Sequence, residues 1–246
     1  MSKEPSTFVP KRIGIVLSAI LFGIPALLLW VATDFGVPAL SAQGWNPLLA
    51  WFVAGTFVFA PLLVAAAFGA SKALSTWSLS KILQHLRVRR LSVDDWRLTL
   101  LTLVWTVAAV TGLTVFNAKV WPGLPTEPSF MAVHALAPGQ YHLLAFWLPF
   151  FAVNIIGEEL WWRGFIQPRQ EPVFGSSTWI VQGLLHAVFH ASFGPGLVFI
   201  LWPVLFSIPW LVQRSGNTSA GMVLHAVVNG AGFLAVNLSL VPTPAA

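Results

Sequence analysis

Two adjacent glutamates, Glu158 and Glu159, and an arginine four residues after the second, Arg163, lie near the end of an apolar segment. Ionisable side chains are costly in hydrocarbon and mostly face a bundle interior or a wet cavity, so they indicate a functional site. On a helix the two carboxylates lie about 100° apart, whereas Glu159 and Arg163 share a face. The spacing predicts one paired carboxylate and one, Glu158, available as a general base. In the alternative, both glutamates lie in interfacial water and merely end the helix.

Two histidines, His186 and His190, are also four residues apart in a second apolar segment and therefore share a helix face. Histidines at this spacing bind zinc in metalloprotease helices, but there a glutamate follows the first histidine, and Ala187 stands in that place here. The pattern favours a site with no metal and no other cofactor, and a packing role is the plainer alternative. A zinc-dependent variant would draw its ligands from His186, His190, Glu158 and His225.

His225 and Asn229 repeat the four-residue spacing in the last apolar segment. Both side chains can present N–H donors, and donors fixed in a dry site suit an oxyanion. The alternative is hydrogen bonding between helices, worth about 0.6 kcal/mol per bond in a membrane. A carboxylate base, an imidazole that shares the water and two oxyanion donors are the parts needed to hydrolyse an amide without a covalent intermediate. No Ser, Cys or Thr stands in a nucleophile motif beside them, so a triad has no support.

The composition is that of a membrane protein, because 57% of the residues are hydrophobic and only 9% are charged, against about 25% charged in a soluble domain. The calculated isoelectric point is near 10.3, but the basic residues cluster beside apolar segments, as cytoplasmic loops do, so nucleic-acid binding is not indicated. The chain has no cysteine, which excludes disulfides and thiolate catalysis.

The apolar runs predict an all-α, polytopic transmembrane bundle of about seven spanning helices, or eight if one of them is broken. No linker or composition shift indicates a second domain, so residues 1–246 are expected to form one membrane domain. The predicted spans are 13–33, 48–69, 97–116, 141–162, 177–193, 197–212 and 219–239.

The distribution of Lys and Arg predicts a cytoplasmic N-terminus, because 12 of the 13 basic residues then fall in cytoplasmic segments and only Lys119 falls outside. Six of them lie in residues 70–97. Within that stretch, residues 72–90 alternate apolar and basic side chains, which predicts an in-plane amphipathic helix on anionic lipid or, alternatively, a docking surface for a protein partner. The Pro-rich residues 121–138 are expected to form an irregular outer loop.

The order and spacing of these residues resemble the CAAX protease and bacteriocin-processing (CPBP, or Abi) family of intramembrane peptidases. Its first motif, two glutamates and an arginine four residues later, is matched by Glu158, Glu159 and Arg163, and its third, His-x-x-x-Asn, by His225 and Asn229. The resemblance covers about residues 141–239, which would form the catalytic core.

The second motif of that family, Phe followed by three residues and His, is matched with one departure. Aligning it on His190 places His186 where the family has Phe, whereas aligning it on His186 places Gln182 there. The resemblance favours His190 as the functional histidine. It implies that Glu158 activates water with His190, that His225 and Asn229 stabilise the oxyanion, and that Glu159, Arg163 and His186 support the site or orient the substrate.

The expected function is a glutamate-dependent intramembrane endopeptidase that cleaves membrane-anchored, prenylated or hydrophobic peptides in a site open toward the cytoplasm. The alternatives are the zinc-dependent peptidase and a catalytically silent scaffold or bacteriocin-immunity protein that binds a partner complex. The expected partners are membrane lipids, a membrane-anchored substrate and such a complex, and no nucleic acid. The short loops and the absence of cysteine favour a bacterial inner membrane.

Overall fold

The structure is a computed structural model that describes residues 11–131 and 134–240. Most of the described residues are helical, with no strand among them, as an all-α bundle requires. Lys3 of the basic N-terminal tail lies outside the described residues. The α-helices are α1 (Ile15–Val31), α2 (Val37–Ala42), α3 (Pro47–Leu74), α4 (Leu79–His85), α5 (Val93–Val120), α6 (Leu143–Glu158), α7 (Gln167–Phe174), α8 (Thr178–Phe189), α9 (Pro195–Ser215) and α10 (Thr218–Asn237).

Six helical runs in the described part of the chain are long and apolar enough to cross a membrane, which makes this an integral membrane protein with a polytopic helical bundle. Each of the seven predicted spans overlaps one of these runs. The predicted spans 141–162 and 177–193 fall together in the run Leu143–Phe189, in which π-helical and 3₁₀ turns join α6, α7 and α8. The helix is interrupted within this run at Gly175, whose φ is 56°. With 12 residues, α8 measures about 18 Å and is shorter than the hydrocarbon core of about 30 Å.

One end of the bundle, here called the basic end, is formed by residues 85–97, 163–171 and 213–218. The chain before α1 is held there, because the Ile13 amide donates to the Arg169 carbonyl over 2.9 Å. The Arg87 guanidinium donates to both carboxylate oxygens of Glu171, at 2.8 and 2.7 Å. The segments that carry most of the basic side chains are therefore bound to one another.

Residues 72–90 do not form one long in-plane helix. The only helix that begins within them is α4, and its Ile82, with Leu86 just after it, is buried in the protein core. Arg87 then takes a left-handed φ of 57°, which ends the helix. Ile82 and Leu86 pack against the bundle rather than facing lipid, which explains the difference from the prediction, although Trp77 and Leu79 remain exposed.

The opposite end of the bundle, here called the loop end, carries the connection between α5 and α6, residues 121–142. Its described residues are irregular, as predicted. The Ser129 amide donates to the Phe193 carbonyl over 3.2 Å, and the Leu136 amide donates to the Asn237 carbonyl over 2.9 Å. These bonds hold the connection against the end of α8 and the end of α10.

Candidate active site

The first motif lies where α6 passes into a π-helical turn, Glu159–Ile166. Just before it, Gly157 lets α6 approach α3 so closely that a Cβ there would lie 2.5 Å from the Phe59 carbonyl oxygen. A π-helical segment is uncommon and is often found at functional sites. The packing places Glu158 and Glu159 inside the protein, 1% and 0% exposed, so they do not simply end a helix in interfacial water.

Glu159 is held by two partners. Its Oε1 atom lies 3.3 Å from the Arg163 guanidinium, which is the predicted pairing across one helical turn. The same oxygen accepts a hydrogen bond from His225 Nδ1 at 2.8 Å. The first and third motifs are therefore in direct contact, although 66 residues separate Glu159 from His225.

Glu158 has a different set of partners. Asn154, one turn earlier on α6, donates to its Oε1 atom over 2.9 Å. His186 Nε2 lies 2.7 Å from its Oε2 atom, and the other ring nitrogen of His186 lies 2.8 Å from Arg163. A guanidinium can only donate, so His186 Nδ1 accepts, and a neutral imidazole then carries its proton on Nε2 and donates it to Glu158.

His190 follows the last residue of α8 and is almost as deeply buried, with 8% exposure. Its Nδ1 atom lies 3.1 Å from the His186 carbonyl oxygen. Because a carbonyl can only accept, Nδ1 carries the proton and Nε2 keeps its lone pair in the neutral ring. His190 therefore presents an acceptor nitrogen, and it lines the same cavity as Glu158.

On α10, Asn229 Nδ2 lies 3.0 Å from His225 Nε2. When His225 is neutral, its Nδ1 proton goes to Glu159 and its Nε2 accepts one amide hydrogen of Asn229. Asn229 then keeps a second amide hydrogen for the cavity that it lines. The spacing predicted that both residues donate to an oxyanion, whereas this arrangement offers the Asn229 amide, with His225 holding it.

The cavity beside these residues has a volume of about 480 Å³ and runs between α3, α6, α9 and α10. Asn154, Glu158, His190 and Asn229 supply its polar groups near the motifs. It extends to Glu127 and Asn237 at the loop end, and no described residue of the basic end lines it. Much of its wall is aromatic: Trp51, Phe52, Trp147, Phe150, Phe151 and Phe233.

The direction of this cavity bears on one expectation. We predicted a site open toward the cytoplasm, on the same side as the N-terminus. The chain entering α1 is bound at the basic end through Ile13, whereas the cavity extends toward the opposite, loop end. Nothing in the sequence indicated the direction of the cavity, because residues 121–142 carry no motif that links them to the glutamates.

A metal ion could be held by ligand atoms of Glu158, His186 and His190, which all lie within 4.8 Å of one another. The fit is incomplete in two respects. Both ring nitrogens of His186 already have partners, Glu158 and Arg163, and the guanidinium would lie close to the bound cation. His225, the fourth ligand of the zinc alternative, is bound to Glu159 and is not among the three clustered residues.

The structure brings all seven predicted site residues together and adds two that the sequence analysis did not select. Asn154 could have been found, since it stands four residues before Glu158 on the same helix and shares its face. Glu127 could not, because it lies in an irregular loop with no regular spacing to any motif.

Residues 140–231 match the family model described as type II CAAX prenyl endopeptidase Rce1-like. The matched stretch contains every motif residue from Glu158 to Asn229. Neither the curated proteins nor the solved structures gave a match to the chain.

Proposed function

We propose that this protein is an intramembrane peptidase that hydrolyses peptide bonds of membrane-anchored or hydrophobic substrates with water activated by Glu158, since residues 140–231 match the Rce1-like family model. The observation that carries the proposal is that Glu158, His190 and Asn229 line one cavity. These side chains supply a proton acceptor, a second acceptor for the water and an amide donor.

In the proposed reaction, a water molecule lies between Glu158 and the Nε2 atom of His190. Glu158 takes one proton from it as the oxygen attacks the scissile carbonyl carbon, and His190 accepts the hydrogen bond of the other. The carbonyl oxygen becomes an oxyanion and receives the free amide hydrogen of Asn229. The protonated Glu158 then gives its proton to the leaving nitrogen, the C–N bond breaks, and an acid and an amine are released.

The remaining motif residues would position these groups. His186 and Asn154 donate to the two oxygens of Glu158 and fix its orientation. His225, bound to Glu159, turns the Asn229 amide toward the cavity. Arg163 contacts both Glu159 and His186 and therefore connects the two sets.

Cleavage of a panel of membrane-anchored peptides, prenylated and unprenylated, by the purified protein in lipid nanodiscs tests the proposal. Glu158→Gln should abolish cleavage, because an amide cannot accept the proton of the water. Asp94→Asn is the matched control, since Asp94 is 91% exposed and pairs with Arg97 on the surface. Cleavage that survives Glu158→Gln contradicts the proposal. If no peptide is cleaved and a Glu158→Gln strain behaves as wild type, the scaffold function is favoured instead.

A zinc-dependent reaction is the second candidate, and the proximity of Glu158, His186 and His190 is the observation in its favour. A metal there would act as a Lewis acid on the scissile carbonyl and lower the pKa of a bound water. Treatment with a chelator separates the two mechanisms. The glutamate mechanism predicts unchanged cleavage, and loss of cleavage that zinc restores would favour the metal.

For orientation, we propose that the basic end faces the cytoplasm of a bacterial inner membrane, as the positive-inside rule favours for the Lys and Arg residues gathered there. The loop end, and with it the mouth of the cavity, would then lie on the outer side. A reporter protein that is active only outside the cytoplasm, inserted after Gly139 in the loop between α5 and α6, should be active. Activity after insertion at Ser78, beside α4, would contradict this orientation.

A further inference from the structure

The formal charges in the cavity wall are of one sign. Of the side chains that line the cavity, Glu127 and Glu158 are the carboxylates, and no lysine or arginine is found among the described lining residues. Arg163 lies nearby but is fully buried behind the carboxylates, where it contacts Glu159 and His186. A substrate in this cavity therefore meets negative charge that no cation in its wall compensates.

Glu127 differs from Glu158 in having no side-chain partner. Among the described residues it has neither a hydrogen bond nor an ion pair, and it is only partly exposed. The loop around it is nevertheless fixed. Ser129 bonds through its amide to Phe193 and through its hydroxyl to the Ser192 carbonyl at 2.8 Å, and the Asn117 side chain donates to the Leu124 carbonyl at 3.2 Å. A held, unpartnered carboxylate at the cavity mouth is suited to binding a cation.

The aromatic wall of the cavity also favours positively charged groups. The faces of Trp and Phe rings attract cations through their quadrupoles, and the rings of Trp51, Trp147 and Phe233 all line the cavity. The same rings offer apolar contact area to large hydrophobic side chains. The wall therefore combines tolerance of apolar groups with a preference for positive over negative charge.

We infer that the substrates are apolar membrane peptides that carry a basic residue within a few positions of the scissile bond, on the side that reaches the loop end. This inference rests on the proposed function. Glu127 receives the basic side chain at the cavity mouth, while neighbouring apolar side chains contact the aromatic wall. A peptide whose free C-terminal carboxylate lies within a few residues of the scissile bond is disfavoured, because it adds a third negative charge to the cavity.

The test uses one apolar peptide in four forms, reconstituted with the protein in phosphatidylcholine nanodiscs, whose zero net charge does not concentrate basic peptides. Three forms are amidated at the C-terminus and have Lys, Gln or Glu at the tested position, which is moved through successive positions before and after the scissile bond. The fourth has Gln and a free C-terminal carboxylate. Wild type should cleave the Lys form with a kcat/KM roughly five- to tenfold above the Gln form, the scale of one partly screened ion pair. The Glu and free-carboxylate forms should be poorer still.

Variants of Glu127 test whether this order of kcat/KM values depends on the Glu127 side chain. Glu127→Gln should bring the Lys and Gln forms together, and Glu127→Lys should make the Glu form the better substrate. Asp34→Lys is the matched control, because Asp34 is an exposed acidic residue at the loop end, near Ser129 but outside the cavity wall. It should leave the order unchanged. An order that persists in Glu127→Lys, or a wild type that prefers the free-carboxylate peptide, overturns the inference.

Binding to the Glu158→Gln protein, measured by fluorescence anisotropy of the labelled peptides, separates the two proposals. In one outcome, the Lys peptide binds best, Glu127→Lys reverses that preference, and wild type cleaves no peptide. This outcome would refute the peptidase function and keep the charge preference. If neither the cleavage rate nor the binding affinity depends on the charge of the peptide, the charge preference is refuted and the peptidase function is kept. Absence of binding by every peptide overturns the inference.

Discussion

His186 Nε2 lies 2.7 Å from Glu158 Oε2, in the interior of the bundle and 28 residues away in sequence. The motif that this chain resembles has Phe where His186 stands. Here an imidazole fills that place and connects Arg163 to the proposed base through its two ring nitrogens. His190, in the position of the motif histidine, is left to face the cavity. The two histidines therefore have different surroundings, and their substitution should have different effects.

Replacing His186 with Phe should lower kcat roughly ten- to hundredfold with little change in KM, because Glu158 loses the donor that orients it. His186→Gln should restore part of the activity, since its amide can donate to the same oxygen. Steady-state cleavage by both variants, with the pH dependence of kcat, provides the measurement. If Phe and Gln give equal rates and unchanged pH profiles, His186 has only a packing role.

Removing the Asn229 amide should affect the transition state more than substrate binding. Asn229→Ala is expected to lower kcat about a hundredfold or more, the usual loss for one oxyanion donor, with KM nearly constant. Asn237→Ala is the matched control, because Asn237 lies two turns further along α10 and lines the same cavity. A comparable loss of kcat in both variants would indicate a general disturbance of α10 rather than loss of a donor.

A methyl group added to the α10 backbone at Gly221 should disturb the site. A Cβ there would lie 2.7 Å from Glu159 Oε2 and 2.6 Å from a methyl of Val212. We expect Gly221→Ala to lower the free energy of unfolding by about 1–3 kcal/mol, the usual cost of overpacking a core, and to reduce cleavage. Thermal unfolding in detergent and cleavage in nanodiscs measure the two effects.

The control for that substitution is Gly112→Ala on α5, where a Cβ meets nothing within 4 Å. Alanine is the better helix former by about 0.5–1 kcal/mol, so this variant should be as stable as wild type or more so. If Gly221→Ala is equally well tolerated, α10 can move away from Glu159 without loss of stability or cleavage.

The stability of the basic end should depend on pH through His85. Burial, and secondly the Arg169 guanidinium, hold the pKa of His85 below its usual value. The folded state thus prefers the neutral ring, so this contribution to stability is complete above the unfolded pKa of about 6.5 and is lost as the pH falls through the folded pKa. His85→Gln should therefore lose less stability than wild type between neutral and mildly acidic pH, measured by thermal unfolding. His134→Gln, at an exposed position, should follow wild type, and a His85→Gln curve parallel to wild type would contradict the assignment.

The sequence by itself determined the features that depend on neighbours within one helix. Apolar runs longer than the membrane core gave the spanning helices, and the four-residue spacing gave the contact between Glu159 and Arg163 and the contact between His225 and Asn229. These follow from the helical repeat, which places such residues one turn apart on the same face whatever the rest of the chain does.

Only the tertiary structure decided which histidine reaches Glu158, which end of the bundle the cavity faces, and that Glu127 lines it. His186 and His190 share a face, so their spacing alone could not separate them. Their depths relative to Glu158 depend on how far α8 is displaced along α6, and side chains from several helices set that displacement. The close approach of α6 and α3 at Gly157 and the loop bonded at Ser129 are contacts between distant segments, which no local spacing specifies.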